Sequence, residues 1–461
     1  MQRQGCNEYR SLDKLLSGEF GKARPELEIP HVEDHADVVS RRGFMTALRH
    51  SGMAAVRPEW LPLVQMSPSY VSQRDVVLCI FMRGGTDGLS MCVPFGDSDY
   101  YRFRPTLAVP RPDSGDSRRC ADLDGFFGLP PAMMPLLEAW TNGHLTFIQA
   151  TGLMNTNRSH FDSMNFMESG KANDLTLATG WLGRHLLSSA PMTDGAMTRG
   201  LALSNSVPKS MSGGDRVTGV SNIANFGLPG SPEEQVQRQS MLGDLYSRMI
   251  DPAKTAALSS LRTIDLLKQI NFANYQPAGG AVYTPDDDFA YAMKSSAALI
   301  KAQIGVEAIH VDIGDWDTHS EQGVHDGHLF QRMQVLSKGL QAFYRDMFAA
   351  GAPNLTVVVM SEFGRNIREN GSRGTDHGYG GCMMLMGAGI VGKKIHGNWP
   401  GLHEDQQFEE QDLKITVDYR DILSEIVSRR LGNGGNLGSI FPDFSPTFRG
   451  VVKPITGQSL A

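Results

Sequence analysis

The chain has 461 residues, 41% hydrophobic and 20% charged, which is ordinary for a folded α/β protein and enough to bury a large core. A formal net charge of −7 offers no basic field for nucleic acid, and no run of 18 apolar residues offers a membrane span. Five cysteines without a CxxC pair argue against a disulfide framework and against a Cys-based metal site.

Residues 1–73 are polar and irregular and read as a leader or peripheral arm. Within them "SRRGFM" (40–45) has the order of a twin-arginine export signal, which would send the protein to the periplasm. Arg49, His50, Arg57 and Glu59 interrupt the apolar segment that such a signal needs, so a short basic amphipathic helix on a cytoplasmic protein is the other reading.

The main domain is expected over 74–461. "RDVVLCIFMRGG" (74–85) places seven apolar residues between charges and glycines, the pattern of a fully buried strand. "HLTFIQATG" (144–152), "AIHVDIGDW" (308–316), "NLTVVVMSEFG" (354–364) and "CMMLMGAGI" (382–390) read as four more. Between them, residues 328–351 set Leu329, Met333, Leu336, Leu340, Phe343 and Met347 on one helical face, and "DYRDILSEIVSRRLG" (418–432) repeats the device. Residues 192–285, rich in Gly, Ser, Asn and Pro, read as an inserted cap region carrying some helix at 233–250. Strands apolar on both faces, alternating with amphipathic helices, predict an α/β fold whose mostly parallel central sheet is sandwiched by helices.

In such a sheet ligands bind outside the carboxyl ends of the strands. Asp87 follows the first strand among glycines; Asp317 and His319 follow the third; Glu362, then Asp376 and His377, follow the fourth. Each has a bland reading as a turn-stabilising or loop residue. Together they would repel one another unless a cation held them, and Asp, Glu and His without Cys suit one or two divalent ions: zinc foremost, with Mn, Mg or Ca as alternatives. Ser159 opens a helix after the second strand with Asp162 three residues on, which fits either a capping box or a nucleophile. Arg158 and the helix amides would hold an anion, and His160 would be a ligand, a proton donor or a solvent-facing side chain.

"FMRGGTDGLSMCVPFGDSDYYRFRPTLAVP" (81–110), "NRSHFDSMNFMESG" (157–170), "GDWDTHSEQ" (314–322), "SEFGRNIRENGSRGTDHGYGG" (361–381) and the closing "DYRDIL" resemble the bacterial DUF1501 family, which is grouped with the alkaline phosphatase-like superfamily of phosphatases and sulfatases. The resemblance implies a metal crevice at the sheet's carboxyl edge, with Asp87, Asp317, His319, Glu362, Asp376 and His377 as ligands and Ser159 as nucleophile. The pattern departs from that superfamily where Glu362-Phe363 stands in place of an Asp-His pair. Asp317 and His319 stand two apart rather than four, which makes His325 and His328 rival ligands. No sulfatase-type Cys-x-Pro-x-Arg occurs. The expected function is a metal-dependent hydrolase acting on a small anionic phosphate or sulfate ester. A binding or assembly protein on the same scaffold, or a group-transfer enzyme of a biosynthetic pathway, are the alternatives.

Overall fold

The computed structural model describes residues 73–455, apart from 252, 271 and 352, and these belong to one compact unit, Tyr70–Ala461. The twin-arginine-like motif lies outside the described residues.

Nine strands form the central sheet: β1 Val76–Met82, β2 Leu145–Gly152, β3 Gly200–Ala202, β4 Val217–Gly219, β5 Ala308–Ile313, β6 Leu355–Ser361, β7 Gly381–Gly387, β8 Ile395–His396 and β9 Val417–Asp418. Their spatial order is β8-β2-β7-β6-β1-β5-β3-β4, with β9 also paired to β2. Every pairing is parallel except those of β7, which runs against both β6 and β2. The carboxyl ends of β1, β2, β5 and β6 therefore share one edge with the amino end of β7.

Both faces of the sheet are covered. Leu78 and Ile80 of β1, Ile309 and Val311 of β5 and Val357 of β6 pack with Phe289 and Met293 of α5 (Asp288–Lys301) and with Leu336 and Phe343 of α6 (His328–Phe348). The alternate residues Val77, Cys79, Phe81, Val358 and Met360 pack against three other helices. These are α1 (His160–Ser169), α2 (Trp181–Ser188) and α7 (Tyr419–Arg429), which contribute Met167, Trp181 and Ile422. A strand buried on both faces gains on each side about 25 cal/mol per Å² of apolar surface removed from water, which is why its sequence carries no alternation.

The expected cap region divides in two. Gly200–Ala202 and Val217–Gly219 extend the central sheet beyond β5 as three-residue strands. Beyond them an antiparallel hairpin of α3 (Pro232–Ser247) and α4 (Ala253–Gln269) forms, with Ser231 and Glu234 closing a capping box at the start of α3.

Candidate metal centre

Three loops bring three imidazoles and one carboxylate together at the carboxyl edge. Asp317 and His319 come from the loop after β5, His160 from the first turn of α1 after β2, and His377 from the segment that leads into β7. The ligand atoms of His160, Asp317 and His377 all lie within 4.8 Å of one another. Asp317 Oδ1 is 3.5 Å from His160 Nε2, 3.0 Å from His319 Nε2 and 3.3 Å from His377 Nε2. The Nε2 atoms of His319 and His377 are 3.0 Å apart.

The opposite nitrogen of every ring is engaged. His160 Nδ1 is 2.7 Å from Glu362 Oε1, His319 Nδ1 is 2.7 Å from Asp376 Oδ1, and His377 Nδ1 is 2.9 Å from the Arg158 carbonyl. Each of those oxygens accepts, so each Nδ1 carries the proton and, in a neutral ring, each Nε2 presents a lone pair. Three lone pairs and a carboxylate oxygen then face one another, and His160 Nε2 is buried with no hydrogen-bond partner. That arrangement is repulsive without a cation or proton at its centre. Donors around a tetrahedral zinc ion stand about 3.3 Å apart when the bonds are about 2.0–2.1 Å. His160, Asp317 and His377, whose donor atoms lie mutually within 4.8 Å, therefore suit a single ion, with His319 standing beside them 3.0 Å from both Asp317 Oδ1 and His377 Nε2. An imidazole backed by a carboxylate is how metal-binding histidines are ordinarily oriented.

The electrostatics agree. Burial disfavours a charged His160, but the neighbouring Asp317 and Glu362 carboxylates outweigh it and hold its pKa up to about 9. The hydrogen bond to Asp317 raises His319, whereas burial lowers His377. Burial of Asp317 is overcome by its three imidazole neighbours and Arg365, which keep its carboxyl far below the usual range. The site thus attracts positive charge around Asp317, where the imidazoles approach it.

Two glycines permit the close approach. Gly84, at φ +125°, gives its N–H to Glu362 Oε1 at 2.8 Å, and a Cβ there would lie 2.7 Å from the Asp317 backbone nitrogen. Gly374 sits where a Cβ would meet the His319 carbonyl at 2.3 Å. Phe363 packs beside His160 and His377, with ring centroids 4.9 and 5.0 Å away.

The expected ligands take three different places. Asp317, His319 and His377 meet at the centre, joined by His160. Glu362 and Asp376 stand one bond behind it, because their hydrogen bonds go to the outer nitrogens of His160 and His319. Asp87 needs correcting: its side chain is buried and forks onto Arg104 at 2.6 and 2.9 Å, with Ser90 Oγ and Gln322 Nε2 on the same carboxylate. A guanidinium already neutralises it, so Asp87, expected among the ligands, is paired with a side chain instead. The rival ligands stand elsewhere: His328 Nε2 bonds the Asp315 carbonyl, and His325 faces Arg118 and Asp116.

Ser159 is the N-cap residue of α1, half-buried, and its hydroxyl makes no cap bond, so the Ser159–Asp162 capping box does not form. Its backbone N–H goes to Asn157 Oδ1. Arg158, expected to hold an anion, turns its Nη2 to Glu409 and Asp412 at 2.7 and 2.5 Å.

Sequence reading missed two residues of the centre. Arg365 is fully buried; its guanidinium reaches Asp317 Oδ1 at 2.6 Å and the Trp316, Thr375, Gly84 and Gly85 carbonyls. Asp412 anchors Arg158 and Asn366. Arg365 stands three residues after Glu362 in the strongest motif, which was the available signal; Asp412 had none.

A family model described as "Protein of unknown function (DUF1501)" matches residues 74–424. The chain belongs to the DUF1501 family. Comparison with curated proteins returns no match. Among solved structures, this DUF1501 protein is similar to Ps i-CgsB in complex with k-i-k-neocarrahexaose, at 9% identity and TM-score 0.33 over 77% of this chain and 71% of that one. It is also similar to alkaline phosphatase from the Antarctic bacterium TAB5, at 10% identity and TM-score 0.27 over 68% and 92% of the two chains. The centre is therefore read from its own residues.

Proposed function

We propose that this DUF1501 protein is a metal-dependent hydrolase of phosphate or sulfate esters with a single divalent ion, held by His160, His319, His377 and Asp317. The observation that carries the reading is the convergence of three Nε2 atoms on Asp317 Oδ1 while an acceptor holds each Nδ1. Three imidazoles and one carboxylate suit zinc; magnesium and calcium take oxygen donors instead. An ion bound there supplies Lewis-acid polarisation of an ester oxygen.

The remaining work falls to the chain's own groups. Glu362, Asp376 and the Arg158 carbonyl fix the rings, and Arg365 fixes Asp317. Ser159, between the residue whose carbonyl holds His377 and the ligand His160, presents the attacking hydroxyl. The first-turn amides of the ten-residue helix α1, left uncapped by Ser159, face the tetrahedral anion. The resemblance to phosphatases and sulfatases supports the same reaction class.

Ser159→Ala tests the assignment. It should keep its metal and lose turnover of aryl phosphate and sulfate esters by about 100-fold or more. Full turnover in the variant would remove Ser159 from the mechanism. A zinc-loaded wild-type protein that hydrolyses neither ester would contradict the hydrolase reading.

A further inference from the structure

The charges packed around the centre bear on which ester it accepts, an inference that rests on the hydrolase reading above. Five carboxylates are in hydrogen-bond contact with the imidazoles or with the two guanidiniums beside them: Asp317, Glu362, Asp376, Asp412 and Glu409. Against them stand Arg158 and Arg365. With neutral imidazoles, five carboxylates and two guanidiniums leave three negative charges, and one divalent ion still leaves one.

Neither guanidinium is well placed to offset an incoming anion. Arg365 is fully buried and spends its donors on Asp317 and four carbonyls. Arg158 is partly exposed, but two carboxylates share its Nη2. The third cation near the sheet edge, Arg104, is locked on Asp87 with no exposure. Asp162 adds a further carboxylate in the first turn of α1. A phosphate monoester, with two negative charges above about pH 7, would enter a site whose fixed charge stays negative even with the ion bound.

We infer that the centre selects esters whose reacting group carries a single negative charge, such as a sulfate monoester or a phosphodiester, over doubly charged phosphate monoesters. Glu409 is the residue that sets this preference from the rim. It is 45% exposed, it pairs with Arg158 Nη2 at 2.7 Å, and it adds one negative charge of its own. It touches none of the four donors, so it acts through Arg158.

Phenyl sulfate and phenyl phosphate are near-isosteric and at about pH 8 differ by one charge, so they isolate the effect. Their dissociation constants for zinc-loaded and metal-free Ser159→Ala protein, measured by calorimetry, read binding without turnover. The expected result is zinc-dependent binding of both, with phenyl sulfate tighter by about fivefold or more. Glu409→Gln should narrow that ratio, chiefly by strengthening phenyl phosphate. Zinc-dependent binding that favours phenyl phosphate, or a ratio that Glu409→Gln leaves unchanged, would overturn the charge assignment and leave the metal centre standing. Binding that is the same with and without zinc, or none of either compound, would overturn the metal-centre reading and the inference with it.

Discussion

Replacing Glu362 with Gln removes the negative charge behind His160 while leaving an oxygen within reach of Nδ1. Carboxylates in this position typically contribute about 10–100-fold to metal affinity. Glu362→Gln should therefore weaken zinc binding by about that factor, read by competition with a chromophoric chelator, without unfolding the protein. An unchanged affinity would mean that His160 is not a ligand. Asp87→Asn should do the reverse. It leaves Arg104 buried without its carboxylate partner, which costs about 3–5 kcal/mol in urea unfolding, while the folded protein keeps its full complement of metal. Metal lost at undiminished stability would make Asp87 a ligand after all. The two acids look alike in sequence, each closing an apolar strand, and only their partners separate them. Arg104 lies 17 residues from Asp87 and Gln322 lies 235 away, so nothing local in "RGGTDG" announces a spent carboxylate. His160 suffered the opposite ambiguity: at the start of a helix it reads equally as a solvent-facing residue, and its burial depends on Glu362, 202 residues on.

At the scale of elements, the centre depends on the loop after β5 lying directly on the loop between β6 and β7. Gly374 is the point of closest contact, since a Cβ there would press within 2.3 Å of the His319 backbone. Gly374→Ala removes no ligand and alters no charge. It should nonetheless destabilise the fold by about 1–3 kcal/mol, as overpacking does, and weaken zinc binding by displacing His319. Urea unfolding and a zinc titration on the same sample check both parts. Full zinc affinity in that variant would show that the loops separate without moving the ring. The long strands were legible because burial on both faces leaves an unbroken apolar run, as in "VVLCIFM" and "LTVVVM". The short strands β3 and β4 were not. At three residues each they carry no usable periodicity, and pairing with β5 and with each other holds them in a stretch whose composition suggests loop.

For the whole molecule, two buried histidines away from the centre set opposite limits on stability with pH. Burial, with Arg199 and Arg74 nearby, depresses His185 from 6.5 to about 3. The unfolded chain then takes up a proton that the folded one refuses. This contribution is complete above pH 6.5 and is lost as pH falls towards 3. His310 has the opposite sign: burial opposes its charge, but Asp312 outweighs that and raises it from 6.5 to about 10, so its contribution is complete below 6.5 and is lost as pH rises through 10. Urea unfolding across this range should give greatest stability near pH 6.5, with a fall of at most about 1.4 kcal/mol per pH unit from His185 on the acid side. In His185→Gln the slope between pH 6.5 and 3 should flatten. An identical slope would mean that other groups carry the acid transition. Net charge and composition gave no hint of these limits, because they arise from the burial of His185 and from Asp312 beside His310, not from the number of charges.

The central claim is the single centre of three imidazoles and Asp317, and zinc titration of metal-free protein with X-ray absorption on the product tests it most directly. The account predicts one tightly bound equivalent with a first shell of nitrogen and oxygen donors at about 2.0–2.1 Å, the imidazole scattering reduced in His377→Ala and the tight binding lost in the His160→Ala/His377→Ala pair. No tight binding by the wild type, or a full equivalent retained by that double variant, would contradict it.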